Sequence, residues 1–114
     1  MATLTVQETG LSGLKPVFVA ATSGGDDFVN DGSVVLHVKN GGGGSITVTA
    51  NSQRNCDQGF DHDLAVSVPA GEERMIGPFS TRRFNVETGA DKDKVKITYS
   101  GITSVTVAAI KVSE

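Results

Sequence analysis

The stretch GSVVLHVKNGGGGSITVTAN, residues 32–51, decides the fold class. Apolar residues occupy every second position on both sides of its four glycines: Val34, Leu36 and Val38 before them, Ile46 and Val48 after them. Period-2 alternation of β-branched residues indicates strands with one buried and one wetter face. We therefore expect two strands that pair as an antiparallel hairpin, with Asn40 and the glycines supplying the turn.

Working outward, the rest of the chain extends this β framework. Extended segments are predicted at residues 3–7, 15–21, 64–68, 73–79, 94–100 and 104–112. The last of these changes phase at Ile110 and Val112, which predicts either a bulge or burial of both faces. Residues 23–32 and 51–63 are predicted loops, the first held to the core by Phe28 and Val29. No window of useful length shows a helical period.

These elements predict an all-β protein: a single-domain antiparallel β-sandwich of about eight strands spanning residues 1–114. A jelly roll is one form that such a sandwich takes. Residues 1–14 are expected to include an extended N-terminal segment. A chain of 114 residues is large enough to bury a core of its own.

Composition excludes several classes of function. The net charge is -3 with lysine and arginine scattered, so nothing favours nucleic acid or an anionic membrane as a partner. Cys56 is the single cysteine, which rules out a disulfide within the chain. The first ten residues lack the pattern of a signal peptide, and no segment has the length and apolarity of a membrane span.

Two polar clusters are the candidates for chemistry. The first comprises Cys56, Asp57, Asp61, His62 and Asp63. A metal site or a Cys–His pair is conceivable there, but zinc spacing, an orienting group and an oxyanion hole are not signalled, so a polar loop is the favoured interpretation. The second comprises Asp26, Asp27, Asn30 and Asp31, whose order lacks the spacing of a calcium loop, so turn chemistry is favoured over calcium.

No other motif suggests catalysis. The glycine run is not followed by Lys-Ser/Thr or a helix, so it is not a phosphate-binding loop. His37, on the outer face of its strand, is interpreted as a surface or interface residue and not a ligand. We predict no catalytic, cofactor or metal site, and no enzymatic activity.

Residues suited to protein contacts occur in the long loop and around the arginines. The candidates are Phe60, His62, Arg74, Arg82, Arg83 and Phe84. The β-rich ends, residues 3–7 and 108–114, are further candidates, since they could add strands to a neighbour's sheet edge.

Several segments together carry a resemblance to a known family: TLTVQ, GGDDFVNDG, LHVKNGGG, VSVPAGEERMIGPF, RFN and ITYSGITSVTVAAI. The combination resembles small β-rich proteins encoded among the head genes of tailed bacteriophages, which coat or cement the capsid lattice. The resemblance implies a virion protein of the capsid surface, made in the host bacterial cytoplasm. It further implies the major capsid protein as partner and a homo-oligomer, a dimer or a trimer, on the capsid.

Two alternatives stay open. A head–tail connector or tail component shares the same β composition. A small carbohydrate-binding module would also be a sandwich, although such modules generally stack sugars on exposed aromatic rings. This chain has no tryptophan, and its single tyrosine, Tyr99, falls in the inward phase of its strand.

Overall fold

The computed structural model describes residues 2–52, 63–87 and 89–112, which form ten β-strands and one short helix. In chain order these are β1 (Ala2–Thr3), β2 (Val6–Glu8), β3 (Val19–Ala20), β4 (Asp26–Val29), β5 (Val34–Asn40), β6 (Ile46–Ala50), β7 (Leu64–Val68), β8 (Glu73–Ile76), α1 (Thr81–Phe84), β9 (Lys94–Tyr99) and β10 (Val105–Lys111).

The strands form two five-stranded sheets with a sandwich-like arrangement. Sheet A has the order β1-β4-β9-β6-β7, and sheet B has the order β2-β10-β5-β8 with β3 also paired to β10. The prediction of a β-rich fold is confirmed, but that of purely antiparallel pairing is wrong. Strand β1 runs parallel to β4, and β2 runs parallel to β10. A jelly roll, which is antiparallel throughout, therefore does not describe these mixed sheets.

The predicted hairpin at residues 32–51 is also wrong. Strand β5 lies in sheet B between β10 and β8, whereas β6 lies in sheet A between β7 and β9. The side chain of buried Asn40 holds the connection: its Nδ2 donates to the carbonyl oxygens of Gly44 (2.8 Å) and Val68 (3.0 Å). Asn40 thus ties the glycine run to β7 at the point where the chain passes from one sheet to the other.

The alternation predicted for these two strands is confirmed. The predicted inward residues Val34, Leu36, Val38, Ile46 and Val48 are all buried in one continuous core. Sequence period thus determines the face that a side chain occupies, even where the pairing partner differs from expectation.

The predicted strand at residues 3–7 is two short strands in different sheets. Strand β1 extends sheet A and β2 extends sheet B, so residues 2–8 cross from one sheet to the other. Leu4, between them, is buried, and its backbone N–H donates to the carbonyl of Asp27 (2.7 Å). This crossing segment closes one side of the sandwich.

Residues 23–32, predicted as a loop, contain strand β4. Phe28 is fully buried as predicted, but Val29 is 52% exposed and does not contact the core as predicted. Aspartate is unfavourable in strands, yet the carboxylates of Asp26 and Asp27 accept hydrogen bonds from Tyr99 and Thr3, respectively. These hydrogen bonds offset the low strand propensity of the two aspartates.

Strand β10 explains the change of phase near the C-terminal end of the sequence. It pairs with β5 in unbroken register from Val105 opposite Asn40 to Lys111 opposite Val34. Ala108 and Ile110 are buried although they point away from the Val107 face. Burial of both faces, one of the two predicted explanations, is therefore confirmed at Ile110, and this ladder contains no bulge. Val112, just beyond the strand, is 54% exposed, so the prediction does not hold there.

The chain between β8 and β9 forms an aromatic corner. Strand β8 ends at Ile76, earlier than predicted, and a cis Gly77–Pro78 bond leads to α1, which is too short to give a periodic signal. The ring of Phe79 packs against Phe28 (5.6 Å between centroids) and Phe84 (5.3 Å).

Candidate functional site

One side of the sandwich presents the outermost strand of each sheet. Within the part of the chain that the structure describes, β7 pairs with β6 alone and β8 pairs with β5 alone. Strand β7 has the sequence LAVSV, with no charged residue, and Ala65 and Ser67 are exposed on its outer face. Natural proteins usually protect such edges with charges or bulges, so an uncharged edge of five residues is suited to pairing with another strand. We call it the β7 edge (Leu64–Val68).

The predicted arginines lie in β8 and α1. Arg74, in β8, is held locally, because its Nη1 donates to Glu72 Oε1 (3.2 Å) and to the carbonyl of Glu73 (2.7 Å). Arg82 and Arg83 are exposed in α1, and the Arg83 guanidinium lies 4.8 Å from the centre of the Phe84 ring. These arginines are accessible to a partner.

Phe84 does not share that accessibility. Its side chain is 5% exposed and packs edge-on against Phe79 in the aromatic corner. We therefore assign Phe84 to the core and leave it out of any contact surface. Phe60 and His62, the other candidate contact residues, lie outside the described residues.

Most of the first polar cluster, Cys56, Asp57, Asp61 and His62, likewise lies outside the described residues. Asp63 is described, and its Oδ1 accepts the backbone N–H of Ser52 (2.8 Å). Among residues 2–52, 63–87 and 89–112, no group of three histidine, cysteine or acidic side chains is arranged to hold a metal ion.

The second polar cluster does not converge on a common point. Asp27 accepts from the Thr3 hydroxyl (2.6 Å), whereas the carboxylate of Asp31 contacts Lys111 Nζ (2.8 Å). That hydrogen bond from Lys111 holds the pKa of Asp31 below its usual value. The Asn30 amide faces the aromatic corner, donating to the carbonyl of Phe79 (3.0 Å). These divergent contacts are local turn and packing interactions, not a calcium site.

The His37 side chain contacts Phe18 and Glu73. Its ring meets Phe18 edge-on (4.9 Å), and its Nε2 lies 2.9 Å from Glu73 Oε1. The Phe18 ring also lies 4.1 Å from Lys39 Nζ. Residues around Phe18 thus cover the outer face of β5, and His37 is a packed residue, neither free surface nor ligand.

A cavity of about 520 Å³ lies on the side of the sandwich closed by the crossing segment. Its walls include Leu4, Gln7, Val17, Val19, Asp26 and Ala108. The Gln7 side-chain amide holds two walls together, since its Nε2 donates to the Val17 carbonyl and its Oε1 accepts the Val17 N–H, both at 2.8 Å. Volumes of this size are typical of small-molecule sites.

Asp26 is one of the residues that line this cavity, and its carboxylate is buried. Its Oδ2 accepts from the Tyr99 hydroxyl (2.8 Å) and the Thr22 N–H (3.2 Å). Its Oδ1 is buried and has no hydrogen-bond partner among the described residues. Burial first, and then the hydrogen bond to Asp26 and its charge, raise the pKa of the Tyr99 phenol.

No family model, no curated protein and no solved structure matches the chain. In the described part of the chain, no helix has the length and apolar character needed to cross a bilayer. A function for this chain is therefore inferred from the arrangement of its residues.

Sequence reasoning missed both the β7 edge and the cavity. Strand β7 was predicted, but its position at the end of a sheet depends on pairings that an alternating pattern does not encode. The cavity depends on the crossing segment, which joins residues far apart in sequence. One signal was present: Asp26 shares the inward phase of Phe28, so the pattern placed a carboxylate on a core face.

Proposed function

We propose that this protein is a structural component of a tailed-bacteriophage virion, a decoration or cement protein that binds the major capsid protein lattice and stabilises the head. The family-like segments support this proposal, and the β7 edge is the structural observation that carries it. In this proposal the protein acts at the capsid surface as a homo-oligomer and catalyses no reaction.

The β7 edge supplies a physical means of lattice binding. An exposed edge strand offers a row of backbone N–H and C=O groups, and a partner strand that pairs with them gains affinity without side-chain specificity. The inward residues of β7, among them Val66, would continue the apolar face of sheet A into the added strand. Arg82 and Arg83 provide exposed positive charge for acidic groups of the lattice.

The other predicted strand donors do not support binding in this structure. Strands β1 and β2 are paired within the chain. Strand β10 pairs with β5 and also with β2 and β3. Residues 3, 6–7 and 108–111 are therefore already paired within the chain, and donating them to a neighbour would break those pairings. Strand addition is assigned to β7 instead.

The decisive experiment is reconstitution on particles. Particles that lack the protein, by stripping or by deletion, are incubated with the purified chain, and bound copies are counted. Saturation near the number of capsomer or three-fold positions, with a gain in particle stability, is expected, because many weak symmetric contacts add up to tight binding. Binding confined to the tail vertex would instead favour a connector or tail component. Absence of binding to any particle, with retention on a glycan array, would favour the carbohydrate-binding module.

A pair of variants tests the β7 edge itself. Ala65, Thr49 and Thr98 form one row across the outer face of sheet A, with Ala65 at the edge and Thr98 on the inner strand β9. Ala65→Lys should reduce the number of bound copies, because a lysine on an edge strand opposes pairing. Thr98→Lys adds the same charge to the same face and should bind normally. Equal binding by both variants would remove the edge from the proposal.

A further inference from the structure

The cavity beside Asp26 is separate from the β7 edge and from the exposed arginines. It lies at the opposite end of the strand order of sheet A, where the crossing segment and the flanks of β3 meet the middle of β10. Its surroundings are mostly apolar, with Leu4, Val17, Val19 and Val107 among them. A cavity of about 150 Å³ accommodates benzene, so about 520 Å³ has room for a considerably larger organic molecule.

The charged residue among those that line the cavity is Asp26, a carboxylate whose hydrogen bonds are incomplete. Asp26 is fully buried, and it faces inward because it shares the alternation phase of Phe28. Tyr99 and Thr22 both donate to Oδ2, which leaves Oδ1 without a partner among the described residues. A buried carboxylate oxygen without a donor is costly, and a donor supplied by a ligand would remove that cost.

We propose that this cavity is a binding site for a small apolar molecule that carries one protonated amine, such as an alkyl- or arylammonium. The apolar body occupies the space between the crossing segment and β10. The ammonium group donates to Asp26 Oδ1, which has no accessible surface in the unliganded chain, so binding turns the Asp26 side chain toward the cavity. Charge attraction strengthens this hydrogen bond relative to that from a neutral hydroxyl. The proposal is independent of capsid binding, because it involves none of the residues assigned to lattice contact.

The test compares two probes of nearly equal shape, benzylammonium and benzyl alcohol, by NMR titration of the amide signals of the full chain. Benzylammonium should shift amides of residues 2–7, 17–22 and 107–109 in a saturable manner. Its dissociation constant should be lower than that of benzyl alcohol by about tenfold or more. This comparison uses the wild-type protein alone, so it stands even if a cavity variant fails to fold.

Two neighbouring aspartates provide the matched variants. Asp26→Asn removes the charge from the cavity and should remove the preference for benzylammonium. Asp27→Asn removes the same charge from the opposite face of β4, where Asp27 contacts Thr3 and Lys96, and should retain the preference. Lack of saturable shifts at the cavity, equal affinity for the two probes, or equal loss in both variants would overturn the proposal. None of these outcomes depends on whether the protein binds capsids.

Discussion

At the scale of single residues, two pairs of polar side chains in the interior of this fold form specific hydrogen bonds. Tyr99 and Asp26 meet between the sheets, and Asn30 and Asn85 meet below the aromatic corner. Each pair joins segments that are distant in sequence. A substitution in one member of a pair therefore reports how much that contact contributes to the free energy of unfolding.

Tyr99 should resist ionisation in the folded protein. Its pKa is raised by burial and by the adjacent Asp26 carboxylate, so the fold favours the protonated phenol. The resulting stabilisation is present below the unfolded pKa of about 10 and is lost as the pH rises beyond it. Tyr99 is the only tyrosine and the chain lacks tryptophan, so phenolate absorbance reports on this residue alone. Ionisation near pH 10 is expected in urea but not in the native state, and a native phenol that titrates near pH 10 would contradict the assignment.

The Asn30–Asn85 pair should be sensitive to truncation. Asn30 Nδ2 donates to Asn85 Oδ1 (2.8 Å), and Asn85 Nδ2 donates to the Asn30 carbonyl (2.7 Å), with both residues buried. Asn85→Ala leaves buried polar groups without these bonds, so it should lower the free energy of unfolding by about 2–4 kcal/mol. Asn51→Ala, at an exposed position, should change it by less than about 0.5 kcal/mol. Urea denaturation measures both, and similar values would mean that the pair contributes little.

At the scale of elements, the sequence predicted strand positions and faces better than strand partners. The inward phases predicted for β5 and β6 agree with the structure, because side-chain alternation is a local property of extended backbone. Partners depend on which sheet each strand joins. The glycines after Asn40 suggested a tight turn, whereas the Asn40 amide directs them across the sandwich. No local pattern distinguishes those two outcomes.

The face assignment predicts how β5 and β6 respond to charge. Leu36 is fully buried in β5, and Thr47 is exposed in β6. Leu36→Asp should cost several kcal/mol, about as much as the total stability of a small domain, because it buries an unpaired carboxylate. Thr47→Asp should cost less than about 1 kcal/mol. The thermal midpoints of the two variants provide the measurement, and equal midpoints would refute the assignment.

The turn before β4 contains two glycines that should respond differently to alanine. Both have positive φ, +90° at Gly24 and +105° at Gly25. A Cβ on Gly25 would lie 2.2 Å from the Ile97 carbonyl oxygen, while one on Gly24 would have no atom within 4 Å. Gly24→Ala should cost about 1–2 kcal/mol from backbone strain alone, and Gly25→Ala distinctly more. Urea unfolding of the two variants tests this, and equal costs would show that β4 and β9 separate easily.

At the scale of the whole molecule, the crossing segment connects the two sheets through Leu4. Leu4 is 6% exposed within the common core, whereas Leu11, in the following loop, is fully exposed. Leu4→Ala should lower the free energy of unfolding by about 2–5 kcal/mol, and Leu11→Ala should leave it nearly unchanged. Denaturation followed by far-ultraviolet circular dichroism measures the difference. A Leu4→Ala protein of wild-type stability would show that the crossing segment is dispensable.

The candidate sites were less predictable than the fold. Residue types marked Arg74, Arg82 and Arg83 as surface groups, and the structure agrees. Phe84, expected to be a contact residue beside these arginines, packs into the core. The β7 edge and the Asp26 cavity arise from tertiary arrangement. An edge exists where a strand lacks a neighbour, and a cavity exists where side chains do not meet. Both depend on which distant segments pack together, and an alternating sequence pattern does not predict that.

The parallel pairing of β2 with β10 also constrains how the chain reaches its native state. Val6 lies opposite Ala109, a partner roughly a hundred residues later, and β10 is the strand to which β2, β3 and β5 all pair. During synthesis, sheet B lacks its central strand β10 until Lys111 has been added. Until then, the backbone N–H and C=O groups of β2, β3 and β5 that pair with β10 have no partner strand. Such distant pairing slows folding and prolongs exposure to aggregation. A folding rate in the slow range of small β-proteins, and a dependence on chaperones at high expression, follow from this one ladder.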